Sequence, residues 1–125
     1  MPEGFLSSEE YDEQAHKLYD DGDYEGALEM LKEGLSLYPN AVELYVGLGY
    51  ARLAREEYAW ARKAFERAAA LDPVHEDALV GLGETVLRFG ERKQALDLFG
   101  QVAELGYDDD IELMLTMGRA LYHEA

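Results

Sequence analysis

Similar residues recur every 34 positions over most of the chain, and this interval constrains the fold more than any other feature of the sequence. The tetrapeptide Val-Gly-Leu-Gly stands at residues 46–49 and again at 80–83. Further sets that keep the interval are Pro39 and Pro73; Ala27, Ala61 and Ala95; Leu37, Leu71 and Leu105; and Leu31, Phe65 and Phe99. Periods of roughly 20 to 50 residues are typical of solenoids, in which each repeat buries its apolar face by stacking on its neighbours.

Within each period the apolar residues follow the spacing of an α-helix. Leu48 and Gly49 lie three and four positions after Tyr45, and Leu53 lies four after Gly49, so these residues share one helical face. Glycines that mark turns or helix ends are Gly22, Gly90 and Gly106. The middle period has no glycine at this place, so residues 55–57 must turn without one. The pattern predicts an all-α fold.

Two helix starts are marked by pairs of capping residues. Ser7 with Glu10, and Asn40 with Glu43, match the pattern in which a side-chain oxygen accepts from the backbone three residues later and the acid bonds back. We therefore expect helices to begin directly after Ser7 and after Asn40.

The interval and the residue types resemble those of the tetratricopeptide repeat (TPR) family, whose units carry an aromatic residue or Leu, then Leu-Gly, Ala, Phe, Ala and Pro. In the middle unit these places hold Tyr45, Leu48, Gly49, Ala61, Phe65, Ala68 and Pro73. The resemblance covers units 8–41, 42–75 and 76–109. It implies one domain over 1–125, an α-solenoid of three helix–turn–helix units wound as a right-handed superhelix.

After the third unit the pattern restarts one residue late, at Met117 and Gly118. Residues 111–124 are therefore predicted to form one more first helix. Two interpretations stay open: the helix caps the apolar end of the stack, as solenoids require, or it begins a further unit of a longer array.

The formal charge of −16 on 125 residues excludes several classes of partner. Nucleic acid and anionic membrane surfaces both need clustered Lys and Arg. No apolar run approaches the roughly 20 residues that span a bilayer, and the amino terminus has no signal-peptide pattern. Together with the absence of cysteine, this predicts a cytoplasmic protein that neither binds nucleic acid nor inserts into membranes. Abundant Arg, Glu and Ala are compatible with a thermophilic bacterium.

Catalytic and cofactor motifs are missing from the sequence. There is no Walker loop, dinucleotide fingerprint or nucleophile elbow. The histidines His16, His75 and His123 fall in different units and share no metal-ligand spacing. We predict a protein that is not an enzyme and holds no cofactor or metal.

The family resemblance implies that the first helix of each unit lines a concave groove that faces a ligand. The ligand-facing places hold Glu9, Asp12, His16, Tyr19 and Asp20 in the first unit; Glu43, Val46, Tyr50, Leu53 and Ala54 in the second; Asp77, Val80, Glu84, Leu87 and Arg88 in the third; and Leu115, Arg119 and Tyr122 in the last helix. Such a groove is acidic at its first unit, apolar and aromatic in its middle, and mixed in character at its other end. Family members that bind a carboxylate place Lys, Arg and Asn where this chain has Asp12, His16 and Tyr50.

The charge differs strongly between units, at −8 for 8–41, zero for 42–75 and −5 for 76–109. A protein or peptide partner with apolar anchors and a basic flank suits this distribution. The leading interpretation is a scaffold or adaptor that binds a partner's peptide or helix. The alternatives are a small acidic secretion-type chaperone for hydrophobic clients and a regulatory module of a larger assembly. Tyr50→Ala and Leu53→Ala are expected to weaken binding and to leave the fold intact, unless these side chains merely pack between first helices.

Trp60 is the single tryptophan, and its counterparts in the repeat are Gly26 and Gln94. The fold therefore does not require a large side chain there. Because Trp is enriched at interface hot spots, Trp60 is a candidate for self-association or for a partner on the outer face. The alternative is packing against the stems of Arg62 or Lys63.

Overall fold

The computed structural model describes residues 5–106, where all regular secondary structure is α-helical. The helices are α1 Ser8–Asp20, α2 Tyr24–Leu37, α3 Val42–Ala54, α4 Tyr58–Leu71, α5 Glu76–Arg88 and α6 Arg92–Glu104. Equivalent helices begin 34 residues apart, which confirms the predicted all-α solenoid of helix–turn–helix units. The helix predicted over 111–124 lies outside the described residues. None of the six described helices is long and apolar enough to cross a membrane.

The helices form two layers. The first helices α1, α3 and α5 pack side by side, and each packs against the second helix of its own unit. The second helices α2 and α4 also pack against the next first helix, α3 and α5 respectively. This arrangement leaves one row of first helices to line a groove and one row of second helices to form the outer layer.

Phe65 on α4 is the fully buried ring around which α3, α4 and α5 pack. A Cβ atom on Gly49 of α3 would lie 2.6 Å from the Phe65 Cε1 atom, and a Cβ atom on Gly81 of α5 would overlap the same ring. Phe99 occupies the corresponding place beside Gly83 in the third unit. The repeated glycines are present because an aromatic ring fills the space that any larger residue would need.

The helix starts agree with the sequence at one of the two predicted places. The capping box at Ser7 is confirmed, with the Glu10 amide donating to Ser7 Oγ at 3.1 Å. The box predicted at Asn40 is wrong, because α3 is capped by Ala41 without a side-chain hydrogen bond. Glu43 instead reaches the next unit and bonds to His75.

The turn between α3 and α4 is made without glycine, as expected. Glu56 adopts a φ of 61°, in the left-handed region that Gly22 and Gly90 occupy in the other two turns. A residue with a side chain pays roughly 1–2 kcal/mol for this conformation, so the middle turn is strained relative to its two counterparts.

Candidate functional site

A cavity of about 220 Å³ lies in the groove between the first two units. Its lining comes from α1, α2, α3 and the first turn of α5. The lining residues are Asp12, Ala15, His16, Tyr19, Ala27, Leu31, Glu43, Val46, Gly47, Tyr50 and Asp77. The floor is apolar and made of small or buried residues, while the rim carries carboxylates from three different helices.

The carboxylates make this cavity strongly anionic, because none of its lining residues within 5–106 is a Lys or Arg. Asp12 is partly buried, and burial raises the pKa of its carboxyl. His16 opposes this increase, whereas the charges of Glu43 and Glu13 add to it. Burial therefore makes the charged form of Asp12 less favourable than it is in water, a cost that a cation in the cavity would relieve.

Tyr50 joins the groove to the core. Its ring packs edge-to-face on Phe65, with centroids 5.0 Å apart, and its hydroxyl donates to the Asp77 carbonyl oxygen at 3.3 Å. Burial raises the pKa of the Tyr50 phenol well above its usual value, and the charges of Glu84 and Asp77 raise it further. Tyr50→Ala should therefore damage the fold as well as the groove, which corrects the expectation that the fold would stay intact.

A histidine connects the rim of the cavity to the start of α5. His75 caps this helix, its Nδ1 accepting from the Ala78 amide at 3.3 Å, and its Nε2 lies 2.8 Å from Glu43 Oε1. Because Nδ1 accepts in the cap, the neutral ring carries its hydrogen on Nε2 and donates it to Glu43. This bond fixes one of the three rim carboxylates in place.

The predicted groove residues within 5–106 divide into five groups in the structure. Asp20, Ala54 and Arg88 are exposed and do not line the cavity. Those brought together around the cavity are Asp12, His16, Tyr19, Glu43, Val46, Tyr50 and Asp77. Glu9 lines a neighbouring cavity of about 230 Å³, again with Asp12 and Glu43. Glu84 and Leu53 are partly buried, and Leu53 packs against the core. Val80 and Leu87 are only 1% and 3% exposed, so they belong to the core and present no surface to a ligand.

Three of the predicted residues, Leu115, Arg119 and Tyr122, lie outside the part of the chain that the structure describes. The sequence interpretation also missed the floor of the cavity, which Ala15, Ala27, Leu31 and Gly47 form. Their repeating positions indicated core packing, and the sequence carried no sign that a groove exposes one side of that core. Within residues 5–106, no three acidic or histidine side chains are arranged to hold a metal ion.

Trp60 lies on the outer layer, where its side chain is 57% exposed. The Arg52 guanidinium lies 5.4 Å and the Lys63 ammonium 5.1 Å from the ring centroid. Lys63 was one of the two predicted neighbours. Arg62, the other, instead contacts the Phe89 ring and pairs with Glu91.

Profiles of the tetratricopeptide repeat family match residues 13–61 and 52–117. No curated protein matches the sequence. Solved structures with the same fold include that of MamA, which is 27% identical over 94% of this chain and 71% of MamA, with a TM-score of 0.78.

Two further structures of this fold were solved with bound peptides. The type III secretion chaperone SycD of Yersinia enterocolitica, in complex with a peptide of the translocator YopD, is 23% identical over 93% of this chain and 90% of SycD, with a TM-score of 0.81. The second TPR domain of Spaghetti (RPAP3), bound to the HSP90 peptide SRMEEVD, is 22% identical over 80% of this chain and 93% of that domain, with a TM-score of 0.76. Since one family profile alone spans residues 52–117, more than half of the sequence, the chain belongs to the tetratricopeptide repeat family.

Proposed function

We propose that this protein is a non-catalytic binding module whose groove holds a basic segment of a partner protein. The observation that carries the proposal is the cavity between the first two units, where Asp12, Glu43 and Asp77 converge from three helices over an apolar floor. A Lys or Arg side chain fits this arrangement, because its aliphatic stem packs on the floor while its charged end meets the carboxylates.

The size of the cavity favours a peptide side chain over a small-molecule ligand. At about 220 Å³ it is smaller than the roughly 300–1,000 Å³ of pockets that enclose drug-sized ligands. The neighbouring cavity beside Glu9 extends the acidic surface along the same groove. A segment of several residues could therefore place one side chain in each cavity and cover the rim between them.

The peptide-bound structures support this role only as examples of what the fold can hold. The SRMEEVD peptide on Spaghetti has three acidic residues near its end. The groove described here would repel such a sequence, since three carboxylates line its cavity and none of the lining residues within 5–106 is a Lys or Arg. We therefore infer a partner of opposite charge, with apolar residues beside the basic ones.

Two labelled peptides of equal length test the proposal by fluorescence anisotropy: one that alternates Leu with Lys, and the acidic SRMEEVD sequence extended with Ser and Gly. We expect the first to bind and the second not to. Asp77→Asn should weaken binding about three- to tenfold, because a close charge pair is lost while the Asp77 carbonyl that bonds Tyr50 is kept.

Asp97→Asn is the matched control, because Asp97 is exposed on α6 and does not line the groove cavity. It makes the same charge change and should leave affinity unaltered. If both substitutions weaken binding equally, the basic peptide is responding to net charge, and the groove assignment is wrong.

A chaperone for hydrophobic clients is the second candidate function. It is favoured by the match to SycD over almost the whole of both chains. Such a chaperone should keep an apolar 20-residue peptide in solution at an equimolar ratio, even when that peptide has no basic residue. A requirement for Lys or Arg in the client would favour the first proposal over this one.

A further inference from the structure

The outer layer carries two surfaces that are opposite in shape and charge. On α4 the exposed residues Trp60, Lys63 and Arg67 lie three and four positions apart and share one face. Their counterparts on α2, 34 residues earlier, are Gly26, Glu29 and Glu33. At these three positions α4 has an indole ring and two cations, whereas α2 has a glycine and two carboxylates.

Beside Gly26 on α2 lies an open depression of about 380 Å³. The Asp23 carboxylate, which accepts from the Gly26 amide, occupies the place that a side chain at Gly26 would take. Its lining residues are Leu18, Gly26, Glu29, Met30 and Glu33. Leu18 and Met30 provide an apolar base, and the two glutamates stand at its edge. Leu18 occupies the place that Arg52 takes beside Trp60 one unit later, so the depression is apolar where the α4 surface is basic.

On α4, the Trp60 side chain is exposed, and contacts with neighbouring side chains hold it in position. Trp60 remains 57% exposed although Arg52 and Lys63 contact its ring. Arg52 is itself fixed by an ion pair of 3.0 Å with Glu57. Tryptophan and arginine are both enriched at interface hot spots, where such side chains fill pockets on the partner. The cations held near the Trp60 ring by cation–π attraction place positive charge beside it.

We propose that two copies of this chain form a two-fold dimer in which Trp60 of each copy fills the α2 depression of the other. Lys63 and Arg67 then face Glu29 and Glu33 of the other copy. Two-fold symmetry lets the same patch serve both subunits, so each contact is made twice and the assembly closes at two.

The order of the helices makes this symmetry feasible. As α2 and α4 are successive copies of the same helix and both pack against α3, they run in the same direction on the same side of it. Consider a two-fold axis that is parallel to α2 and α4 and passes in front of the outer layer, midway between them. Rotation about this axis places α4 of one copy against α2 of the other, with equivalent residues at the same position along the helices. Residue 60 then meets residue 26, and residue 63 meets residue 29.

The local complementarity has to overcome the overall charge, because each copy carries −16 and the two repel at long range. The residues that line the groove cavity are distinct from those of the α2 depression. Dimerisation therefore leaves the groove open, and it is independent of the function proposed for the groove.

Sedimentation velocity over a dilution series tests the dimer, with fluorescence as a second measurement, because Trp60 is the only tryptophan. The wild-type protein should sediment as a dimer at high concentration, and its emission should shift to the red as dilution exposes the indole. Trp60→Ala should sediment as a monomer with unchanged helical circular dichroism. Leu96→Ala, which removes a 48% exposed apolar side chain from α6, should remain dimeric.

A charge exchange identifies the surfaces that meet. Lys63→Glu or Glu29→Lys alone should weaken the dimer about tenfold or more, because each places like charges together at two symmetric sites. The double variant should recover affinity to within about threefold of wild type. A monomer at every concentration, an open-ended series of oligomers, or a double variant weaker than both single ones would overturn the proposal.

Discussion

Asp12 and Tyr50 show how single groove residues serve binding and the fold in different ways. Tyr50 is anchored by the Phe65 ring and by a hydrogen bond to α5, so it stabilises the contact between α3 and α5. Asp12 is partly buried beside Glu13 and Glu43, so its charge opposes folding. A residue that costs stability in the free protein is expected where a ligand later supplies the missing countercharge.

We predict that Asp12→Asn raises the stability of the free protein and weakens binding of the basic peptide. Because the folded-state pKa of Asp12 is raised above its usual 3.8, the folded protein loses stability as pH rises through that folded-state pKa. The amide removes this loss at neutral pH. The gain in unfolding free energy should stay below about 1 kcal/mol, since solvent screens a partly exposed carboxylate.

Urea denaturation at several pH values measures the effect. The variant and the wild type should differ most near neutral pH and converge near about pH 3, where both side chains are neutral. An advantage of the variant that persists at low pH would show a packing effect in place of relief of charge. Asp97→Asn, on the outer face of α6, should show no comparable pH dependence.

At the scale of elements, the fit of aromatic rings against glycines decides how close the helices come. α5 carries Gly81 against Phe65 and Gly83 against Phe99, so its backbone contacts rings from both neighbouring second helices. Gly100 on α6 is the contrasting case, because a Cβ atom there would meet nothing within 4 Å. Glycine is therefore required by packing at position 81, whereas at position 100 nothing in the packing requires it.

We predict that Gly81→Ala destabilises the protein by about 1–3 kcal/mol, because the new methyl group displaces a buried ring. Gly100→Ala should instead stabilise it by about 0.5–1 kcal/mol, the usual gain in helix propensity at an exposed site. Thermal or urea unfolding measures both. A stabilising Gly81→Ala would show that the Phe65 ring moves aside at little cost and that the close approach is not rigid.

At the scale of the whole molecule, the core of residues 5–106 is divided in two at α3. One cluster joins α1, α2 and α3, with Tyr11, Leu31 and Leu44 among its buried residues. The other joins α3 to α6 and is larger. In a solenoid each unit is stabilised by its neighbours, so the two clusters are expected to open at different free energies.

We predict that backbone amides of α1 and α2 exchange with solvent at a free energy at least about 1 kcal/mol below those of α4 and α5. Native-state hydrogen exchange measures this, in Trp60→Ala protein so that self-association does not protect α2. Equal protection across all six helices would show instead that the chain unfolds as one cooperative unit.

Much of the fold could be predicted from the sequence because the same residue pattern recurs in each of three units. The interval of 34 residues, the helical spacing of residues such as Tyr45 and Leu48, and the capping box at Ser7 all depend on local preferences. The cap predicted at Asn40 is absent: α3 begins after Ala41, and the Glu43 side chain bonds instead to His75, which is 32 residues away and which no local pattern reveals.

The amino-acid sequence alone determined the all-α class, the helix–turn–helix period and the acidic character of the first unit, since all three depend on near neighbours and on charge counts. Only the tertiary structure decided which predicted groove residues have a free surface. Val80 and Leu87 are buried, while Asp12, Glu43 and Asp77 converge on one cavity. Only the tertiary structure showed that the depression beside Gly26 is lined by carboxylates, whereas cations surround Trp60. The physical reason is that burial and convergence depend on how helices stack, and stacking joins residues far apart in the chain.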